Sequence, residues 1–209
     1  MSDQLDKTAQ GEEGSHRQLP DDKALAEAGD VMIKDKEGNS LPFKSLWTGK
    51  PENERQLIVF VRHFFCGSCK QYLQALNESL PSSSLSEANI TLAIIGCGQP
   101  VGIPLYAKET NSSCALYTDP SLRTHELLGM KSNMRTSKVK PDYIKQSLLE
   151  NIVNSAQVAL TSGHAFSGGP PGQNGGEWLF QGGQLKWCHR MRNSTDHTEV
   201  KELKAVLGM

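Results

Sequence analysis

The chain has 209 residues, a hydrophobic content of 37%, a charged content of 22% and a formal net charge of −1 at neutral pH. A nearly neutral chain without a basic cluster has no field that would recruit nucleic acid or an anionic membrane. No run approaches the roughly 18 consecutive apolar residues of a membrane span, and the polar, acidic start shows no apolar leader, so we expect a cytoplasmic protein.

Composition divides the chain into a disordered tail over residues 1–20 and a single domain over residues 21–209. The domain opens with a short predicted helix over residues 21–29, which has acidic residues at its start and a glycine at its end. Two short apolar segments at 31–34 and 40–43, separated by turn-forming residues, predict a pair of strands.

Predicted strands and helices then alternate. Continuous apolar runs are typical of strands that are buried on both faces, and helical patterns follow them at short spacing. The alternation predicts an α/β domain whose central mixed sheet is flanked by helices. The predicted strands are 57–64, 89–96 and 115–119, and the predicted helices start after Cys66, cover 100–110, and run from Pro120 to about Gly129.

The last third of the chain combines a loop, a helix, a glycine-rich segment and a hairpin. The glycine-rich segment carries no Lys-Ser/Thr after its glycines and precedes a strand, so it is not a phosphate-binding loop. The predicted ranges are 130–142 for a basic loop, 143–160 for an amphipathic helix, 162–176 for the glycine-rich segment, 178–191 for the hairpin and 196–207 for a closing helix.

The pattern with the clearest chemistry is Cys66-Gly-Ser-Cys69, which stands between an apolar strand and a helical segment. The first thiol then lies at a helix N-terminus, where unpaired amides and the helix dipole favour the thiolate. The second thiol can close a disulfide with the first. The pattern therefore predicts a two-electron thiol redox centre, and Arg62, His63 and Lys70 would lower the pKa of Cys66 wherever their side chains face it.

Two other interpretations of the cysteine pair remain open. A structural zinc site needs four ligands, but no second pair exists and the histidines other than His63 are scattered, so we predict no metal. The pair could also be inert buried thiols. Five cysteines at irregular spacing do not form a secreted disulfide framework, and the remaining three are expected to be small core residues: Cys97, Cys114 and Cys188.

Cationic residues at two strand ends are candidate stabilisers of the thiolate or of an anionic substrate. Arg62 and His63 alternate along a strand, so at most one of the two is expected to face Cys66, and a solvated strand-end charge is the alternative for Arg62. Arg190 stands at the end of the last strand and could donate charge-assisted hydrogen bonds to the site. The alternative for Arg190 is an edge-strand charge that prevents aggregation.

Four segments in this order resemble proteins of the AhpC/TSA antioxidant-enzyme-domain family, and within it the peroxiredoxin-like 2 branch. The resemblance covers about residues 30 to 208. The segments are Val61-Arg-His-Phe-Phe-Cys-Gly-Ser-Cys-Lys-Gln-Tyr-Leu, Asn89-Ile-Thr-Leu-Ala-Ile-Ile-Gly, Tyr117-Thr-Asp-Pro-Ser-Leu-Arg with Leu128-Gly-Met, and Gln173-Asn-Gly-Gly with His189-Arg-Met-Arg-Asn and Asp196-His.

The resemblance implies a thioredoxin-like fold with a helical and glycine-rich insertion before the last hairpin. It implies that Cys66 is the peroxidatic thiol, that Cys69 resolves it, and that the protein reduces a peroxide or a lipid endoperoxide. It implies no bound cofactor, an external thiol reductant such as thioredoxin or glutathione, and a homodimer as one possible assembly. Val59 and His63 stand where typical peroxiredoxins carry Pro and Thr, and Gly175-Gly176 stand where thioredoxins carry a Pro.

The main functional prediction is therefore a thiol-dependent oxidoreductase. A protein of another class would have the same fold without catalysis, as a binding or redox-sensing module. A specialised cysteine-based catalyst in secondary metabolism and a metal chaperone complete the alternatives.

Overall fold

A computed structural model describes residues 15–137, 139–145 and 167–209. The first helix, α1 (Asp22–Asp30), starts where predicted because the Asp21 side chain accepts a hydrogen bond from the Ala24 amide at 2.7 Å. The predicted pair of strands also forms, as an antiparallel hairpin of β1 (Met32–Lys34) and β2 (Ser40–Pro42).

Within the described residues, seven strands form one mixed sheet in the order β2-β1-β5-β4-β3-β6-β7. The three central strands are parallel, and the hairpin β6-β7 pairs antiparallel with β3. The remaining elements are β3 (Arg55–Phe60), α2 (Gly67–Ser79), α3 (Ser82–Glu87), β4 (Ile90–Gly96), α4 (Ile103–Thr110), β5 (Ala115–Thr118), α5 (Arg123–Leu127), β6 (Gly176–Gln181), β7 (Gln184–Arg190) and α6 (Val200–Val206).

The apolar strand β3 lies at the centre of the sheet and is buried on both faces, as its continuous apolar sequence predicts. Leu57 and Val59 pack on one face with α2, α4 and α6. Ile58 and Phe60 pack on the other face with α1 and a 3-10 turn at Phe43–Leu46. The predicted mixed sheet with helices on both faces is confirmed.

Two helices begin later than the sequence pattern predicts. Helix α5 begins at Arg123 and not at Pro120, because the Asp119 carboxylate accepts hydrogen bonds from the Thr124 amide and hydroxyl at 2.8 and 2.7 Å. Helix α6 begins at Val200 and not at Asp196. The four residues that precede it form an irregular segment, and two of them, His197 and Thr198, contact Glu177 of β6 with their side chains. The strand predicted to extend to residue 64 ends at Phe60.

Residues 15–20 were assigned to the tail by composition, but they lie along the outer strand β7. The Arg190 amide donates to the His16 carbonyl at 2.8 Å, and the Cys188 thiol lies 3.5 Å from the Gln18 carbonyl. Residues 15–20 therefore pack against the domain, although their composition assigns them to the tail.

Two predicted segments lie largely outside the described residues. They are the amphipathic helix at 143–160, of which only 143–145 is described, and the start of the glycine-rich segment at 162–166. Among the helices of the described ranges, none has the length and apolar character needed to cross a membrane.

Candidate active site at the start of helix α2

Cys66 occupies the N-cap position of α2, in the loop that leaves the central strand β3. Its sulfur accepts a hydrogen bond from the Cys69 amide at 3.3 Å, as capping side chains do. The helix-start position that the sequence predicts for Cys66 is confirmed. Both cysteines are thiols and both are buried, with 3% of Cys66 and none of Cys69 exposed to solvent.

Arg62 provides the cation beside Cys66. Its side chain is buried, and its Nη1 lies 3.6 Å from the Cys66 sulfur. The other guanidinium nitrogens are held by backbone carbonyls: Nε donates to Gln173 at 3.2 Å, and Nη2 donates to Pro171. The alternative of a solvated strand-end charge is wrong, because these carbonyls fix the guanidinium against the thiol.

His63 and Ser68 complete the surroundings of the Cys66 sulfur. The Ser68 hydroxyl lies 3.5 Å from it, and the His63 carbonyl accepts the Cys66 amide at 3.0 Å. Burial lowers the pKa of His63 although the nearby thiolate works in the opposite direction. Arg62, whose guanidinium is not deprotonated in proteins, is therefore the permanent cation beside Cys66.

These groups favour the thiolate of Cys66. Burial alone would raise the pKa of Cys66, but a hydrogen bond from the Cys69 side chain and the charges of His63 and Arg62 outweigh it and hold the pKa well below its ordinary value. Lys70 does not take part as the sequence suggests, because its ammonium forms an ion pair with Glu109.

Cys69 has a different set of neighbours. Its sulfur lies 3.4 Å from Nε2 of His197, whose Nδ1 lies 2.6 Å from a carboxylate oxygen of Glu177. Burial and the adjacent Cys66 thiolate raise the pKa of Cys69 well above its ordinary value. Neither His197 nor Glu177 is predicted as a site residue from the sequence, because both lie more than one hundred residues beyond the cysteines in the chain.

Glu177 is a fully buried carboxylate with several donors. Its second oxygen accepts hydrogen bonds from His189 Nδ1 and from the Thr198 hydroxyl, each at 2.9 Å. Burial opposes its ionisation, but the charges and hydrogen bonds of His197 and His189 prevail and hold the pKa of Glu177 below its usual range. The charge of a buried carboxylate is tolerated because these donors surround it.

Arg190 does not reach the cysteine pair, so its predicted role is wrong. Its side chain donates to the carbonyls of Leu128 and Gln18, the latter at 2.6 Å. Successive strand residues point to opposite faces. His189 therefore lies on the face of the sheet that carries α2, whereas Arg190 and Cys188 lie on the other face.

The other cysteines have mainly structural surroundings. Cys97 and Cys188 are buried, as predicted for small core residues, and Cys114 is half-buried. The Cys97 thiol donates to the Arg62 carbonyl at 2.9 Å. No group of three or more metal-ligating side chains with metal-site geometry occurs in the described part of the chain.

The arrangement couples one thiol that favours the thiolate form to a second thiol that keeps its proton. A thioredoxin-like sheet with a Cys-x-x-Cys pair at the start of its first long helix defines a protein of the thioredoxin-like class.

Comparison with known proteins agrees with that class. The family model described as AhpC/TSA antioxidant enzyme matches residues 75–193. Human Peroxiredoxin-like 2C is 32% identical over 186 residues, which cover 88% of this chain and 80% of the human protein. The mouse protein of the same name is 31% identical with the same coverage. The chain belongs to the AhpC/TSA antioxidant enzyme family.

Solved structures support the fold. A peroxiredoxin-like protein from Aquifex aeolicus superposes with a TM-score of 0.54 at 11% identity, covering 85% of this chain and 81% of the other. Bacterioferritin comigratory protein from Xanthomonas campestris gives a TM-score of 0.51 at 12% identity, with coverages of 91% and 95%. The family match starts after Cys69, so the roles of the two cysteines depend on the site geometry.

Proposed function

We propose that the protein is a thiol-dependent oxidoreductase that reduces a peroxide or an endoperoxide through the Cys66–Cys69 dithiol/disulfide couple. One observation carries the proposal: the Arg62 guanidinium and the Cys69 amide both point at the Cys66 sulfur. A buried sulfur with two such donors is arranged to carry negative charge.

The reaction begins when the Cys66 thiolate attacks one oxygen of the O–O bond. With a hydroperoxide, a sulfenic acid forms on Cys66, and the second oxygen leaves as an alkoxide that takes up a proton. With an endoperoxide, the attacked oxygen stays bonded to carbon, so Cys66 forms a sulfenate ester and the second oxygen becomes the alkoxide. Arg62 is placed to stabilise charge on the sulfur and on the departing oxygen. Cys69 then attacks the Cys66 sulfur and displaces this oxygen, so a disulfide forms. The leaving group is water after a hydroperoxide and the diol after an endoperoxide.

An external thiol restores the pair by thiol–disulfide exchange, and thioredoxin or glutathione is the class of reductant that we propose. The chemistry needs no bound cofactor, because both electrons come from the two sulfurs.

Two comparisons support a peroxide as substrate. The mammalian relatives are named peroxiredoxin-like, and the Xanthomonas protein is described as having alkyl peroxide reduction activity. Val59 and His63 occupy the positions of the usual Pro and Thr, so Arg62 and Ser68 take over the contact with the peroxide in our proposal. Because only 3% of Cys66 is exposed, the substrate reaches its sulfur when neighbouring groups move aside.

The proposal is tested by adding one equivalent of an alkyl hydroperoxide to the fully reduced protein. We expect the loss of two thiols per chain and a Cys66–Cys69 disulfide peptide in the mass spectrum. Cys66→Ser should lose this reaction, and Cys114→Ser is the control. An unchanged thiol count in the wild-type protein would refute the peroxidase proposal.

A second candidate, a redox-sensing module without turnover, draws support from the burial of both thiols. The two proposals differ in the second half of the cycle. A sensor would form the disulfide once and show no sustained peroxide consumption with thioredoxin or glutathione, whereas the enzyme would consume peroxide continuously.

A further inference from the structure

The His197 side chain, which contacts the Cys69 sulfur, belongs to a buried series of polar groups that have no role in the proposed peroxide reaction. His197 lies between the Cys69 sulfur and the Glu177 carboxylate, at 3.4 and 2.6 Å. Its ring stacks on Tyr72 of α2, with centroids 4.2 Å apart and an angle of 5° between the planes. Its backbone amide donates to the Tyr143 hydroxyl at 3.2 Å. The imidazole is therefore fixed in position and orientation.

The Glu177 carboxylate also determines which nitrogen of His197 carries a proton. An ionised carboxylate only accepts hydrogen bonds, so the facing Nδ1 must be the protonated nitrogen. In the neutral form of the ring, Nε2 then carries the lone pair, and it faces the Cys69 sulfur. A thiol, an imidazole and a carboxylate in this order are the parts of a general-base arrangement.

We propose that His197 is the proton acceptor and donor of Cys69, and that Glu177 is the positioning residue that holds its ring. The proposal rests on the proposed dithiol function. When Cys66 is a sulfenic acid, Nε2 takes the Cys69 proton and the Cys69 sulfur attacks the Cys66 sulfur. The S–S bond forms, the S–O bond breaks, and the leaving hydroxide takes up a proton to become water.

The same groups act in reverse during reduction. A thiolate of the external reductant attacks the Cys66 sulfur, the S–S bond breaks, and Cys69 leaves with the electron pair. The His197 imidazolium returns its proton to the Cys69 sulfur. A second thiolate of the reductant then attacks the reductant sulfur of the mixed disulfide, and Cys66 leaves as the thiolate, so atoms and charges balance over the cycle.

The relay of Cys69, His197 and Glu177 would supply the proton acceptor that the buried Cys69 thiol needs. Burial and the Cys66 thiolate both hold the proton on Cys69 before oxidation. Oxidation of Cys66 removes that negative charge, but the burial remains, and water has little access to a sulfur with no exposed surface. The relay is surrounded by ionisable and charged groups from every element packed against it. They are Cys66 and Tyr72 of α2 and its cap, Arg62 and His63 after β3, Tyr106 of α4, Tyr143, His189 at the end of β7, and Arg192, Asp196 and Glu199 before α6.

The test separates closure of the disulfide from the reaction with peroxide. Reduced protein is treated with one equivalent of methyl methanethiosulfonate, a small reagent that converts the Cys66 thiolate into a methyl disulfide. Cys69 then attacks the Cys66 sulfur and releases methanethiol. Acid quenching and mass spectrometry follow both steps, so the rates of Cys66 modification and of ring closure are measured in one experiment.

We expect His197→Phe, which keeps a ring on Tyr72, to slow closure about 100-fold at pH 7 and to leave the Cys66 modification rate nearly unchanged. Closure in this variant should rise about tenfold per pH unit, because hydroxide must take the proton, whereas the wild-type rate should rise less steeply. Glu177→Gln should give a smaller loss. His125→Gln replaces a buried histidine outside the site and is the matched control.

Each outcome is decisive. Equal closure rates and equal pH profiles in wild type and His197→Phe would overturn the relay but leave the dithiol function intact. Failure of the wild-type protein to close the disulfide would overturn the dithiol function and the relay with it.

A spectroscopic measurement on the wild-type protein covers the case in which His197→Phe does not fold. Nitrogen chemical shifts of the reduced protein at pH 7 should show His197 protonated at Nδ1 and unprotonated at Nε2. A proton on Nε2 of the reduced protein would refute its role as the acceptor.

Discussion

Cys66 and Cys69 lie one helical turn apart, but their surroundings favour opposite protonation states. The Cys66 sulfur faces an arginine and a backbone amide, and the Cys69 sulfur faces an imidazole backed by a carboxylate. Positive charge on one side favours a thiolate, and the imidazole on the other side is the proton acceptor that we propose for Cys69. In the proposed reaction this difference sets the order, with attack from Cys66 and resolution from Cys69.

The origin of the difference is the position of each residue on α2. Cys66 is the N-cap and is close to the end of β3, from which Arg62 reaches it. Cys69 lies in the first turn and faces the sheet, where β6 contributes Glu177 and the segment before α6 contributes His197. Two residues of spacer are thus enough to place the thiols in separate electrostatic environments.

The largest effect is expected from replacing the thiols individually. Cys66→Ser should reduce the rate of peroxide consumption to the uncatalysed rate, because none of the other four thiols both contacts Arg62 and lies at the start of α2. Cys69→Ser should still form one equivalent of sulfenic acid, trapped by dimedone and located on Cys66 by mass spectrometry. Sulfenic acid on Cys69 in the Cys66→Ser protein would reverse the assigned order.

The next effect concerns the cation beside Cys66. Arg62→Gln should slow alkylation of Cys66 by iodoacetamide at pH 6 by roughly tenfold, because loss of the guanidinium raises the pKa of Cys66 and depletes the thiolate. Peptide mass spectrometry across a pH series measures the rate at this cysteine alone.

Lys70→Gln is the matched control for the cation, since it removes a charge one residue beyond Cys69 that is paired with Glu109. Its alkylation profile should follow that of the wild-type protein. Arg62→Lys should lie between the two, because Lys keeps the charge but loses the bonds to Gln173 and Pro171. Equal effects of Arg62→Gln and Lys70→Gln would show that general positive charge, and not contact, polarises Cys66.

Much of the environment of the Cys66 sulfur could be predicted from the sequence, because the groups that form it are close together in the chain. A buried strand, the Cys-x-x-Cys pair and a helix follow one another directly, so chain order alone places Cys66 at the helix start and Arg62 near it. The central sheet could also be predicted, because continuous apolar runs indicate buried strands and turn-forming residues indicate where those strands end.

The Cys69 side depends on contacts between distant parts of the chain, and the sequence offered few signals for it. Asp196 and its neighbours continue a helical pattern into α6, but Glu177 draws His197 and Thr198 inward and the helix starts only at Val200. Strand parity was the one usable signal: residues of β7 alternate between faces, so His189 and Arg190 could not both face the cysteines.

Glu177 should make the protein sensitive to acid. Its pKa is held below the ordinary value of 4.5, so the stability it provides is fully present above that pH and is lost as pH falls towards the folded-state pKa. Between pH 4.5 and 3 this single group should contribute about 2 kcal/mol of the decline in the free energy of unfolding. Urea titrations across this range measure the decline.

The matched variant for this prediction is Glu177→Gln, which keeps the volume and two hydrogen-bonding atoms but cannot ionise. It should be less stable at pH 7 and show a shallower acid decline than the wild-type protein. Parallel declines would mean that other carboxylates, such as Asp196 with its lowered pKa, account for the acid sensitivity.

The smallest effect tests whether the weaker contacts of Cys66 matter. Ser68→Ala removes a hydroxyl that lies 3.5 Å from the sulfur and 3.3 Å from the Ser194 carbonyl, two acceptors that compete for its single proton. A neutral hydrogen bond at that distance is weaker than the contact with the guanidinium. The rate of alkylation of Cys66 at pH 6 should therefore fall only two- to threefold, which corresponds to a free-energy change of about 0.5 kcal/mol. Ser83→Ala on the exposed surface of α3 controls for the gain in helix propensity. A loss as large as that of Arg62→Gln would show that the hydroxyl, and not the cation, is the main partner of the thiolate.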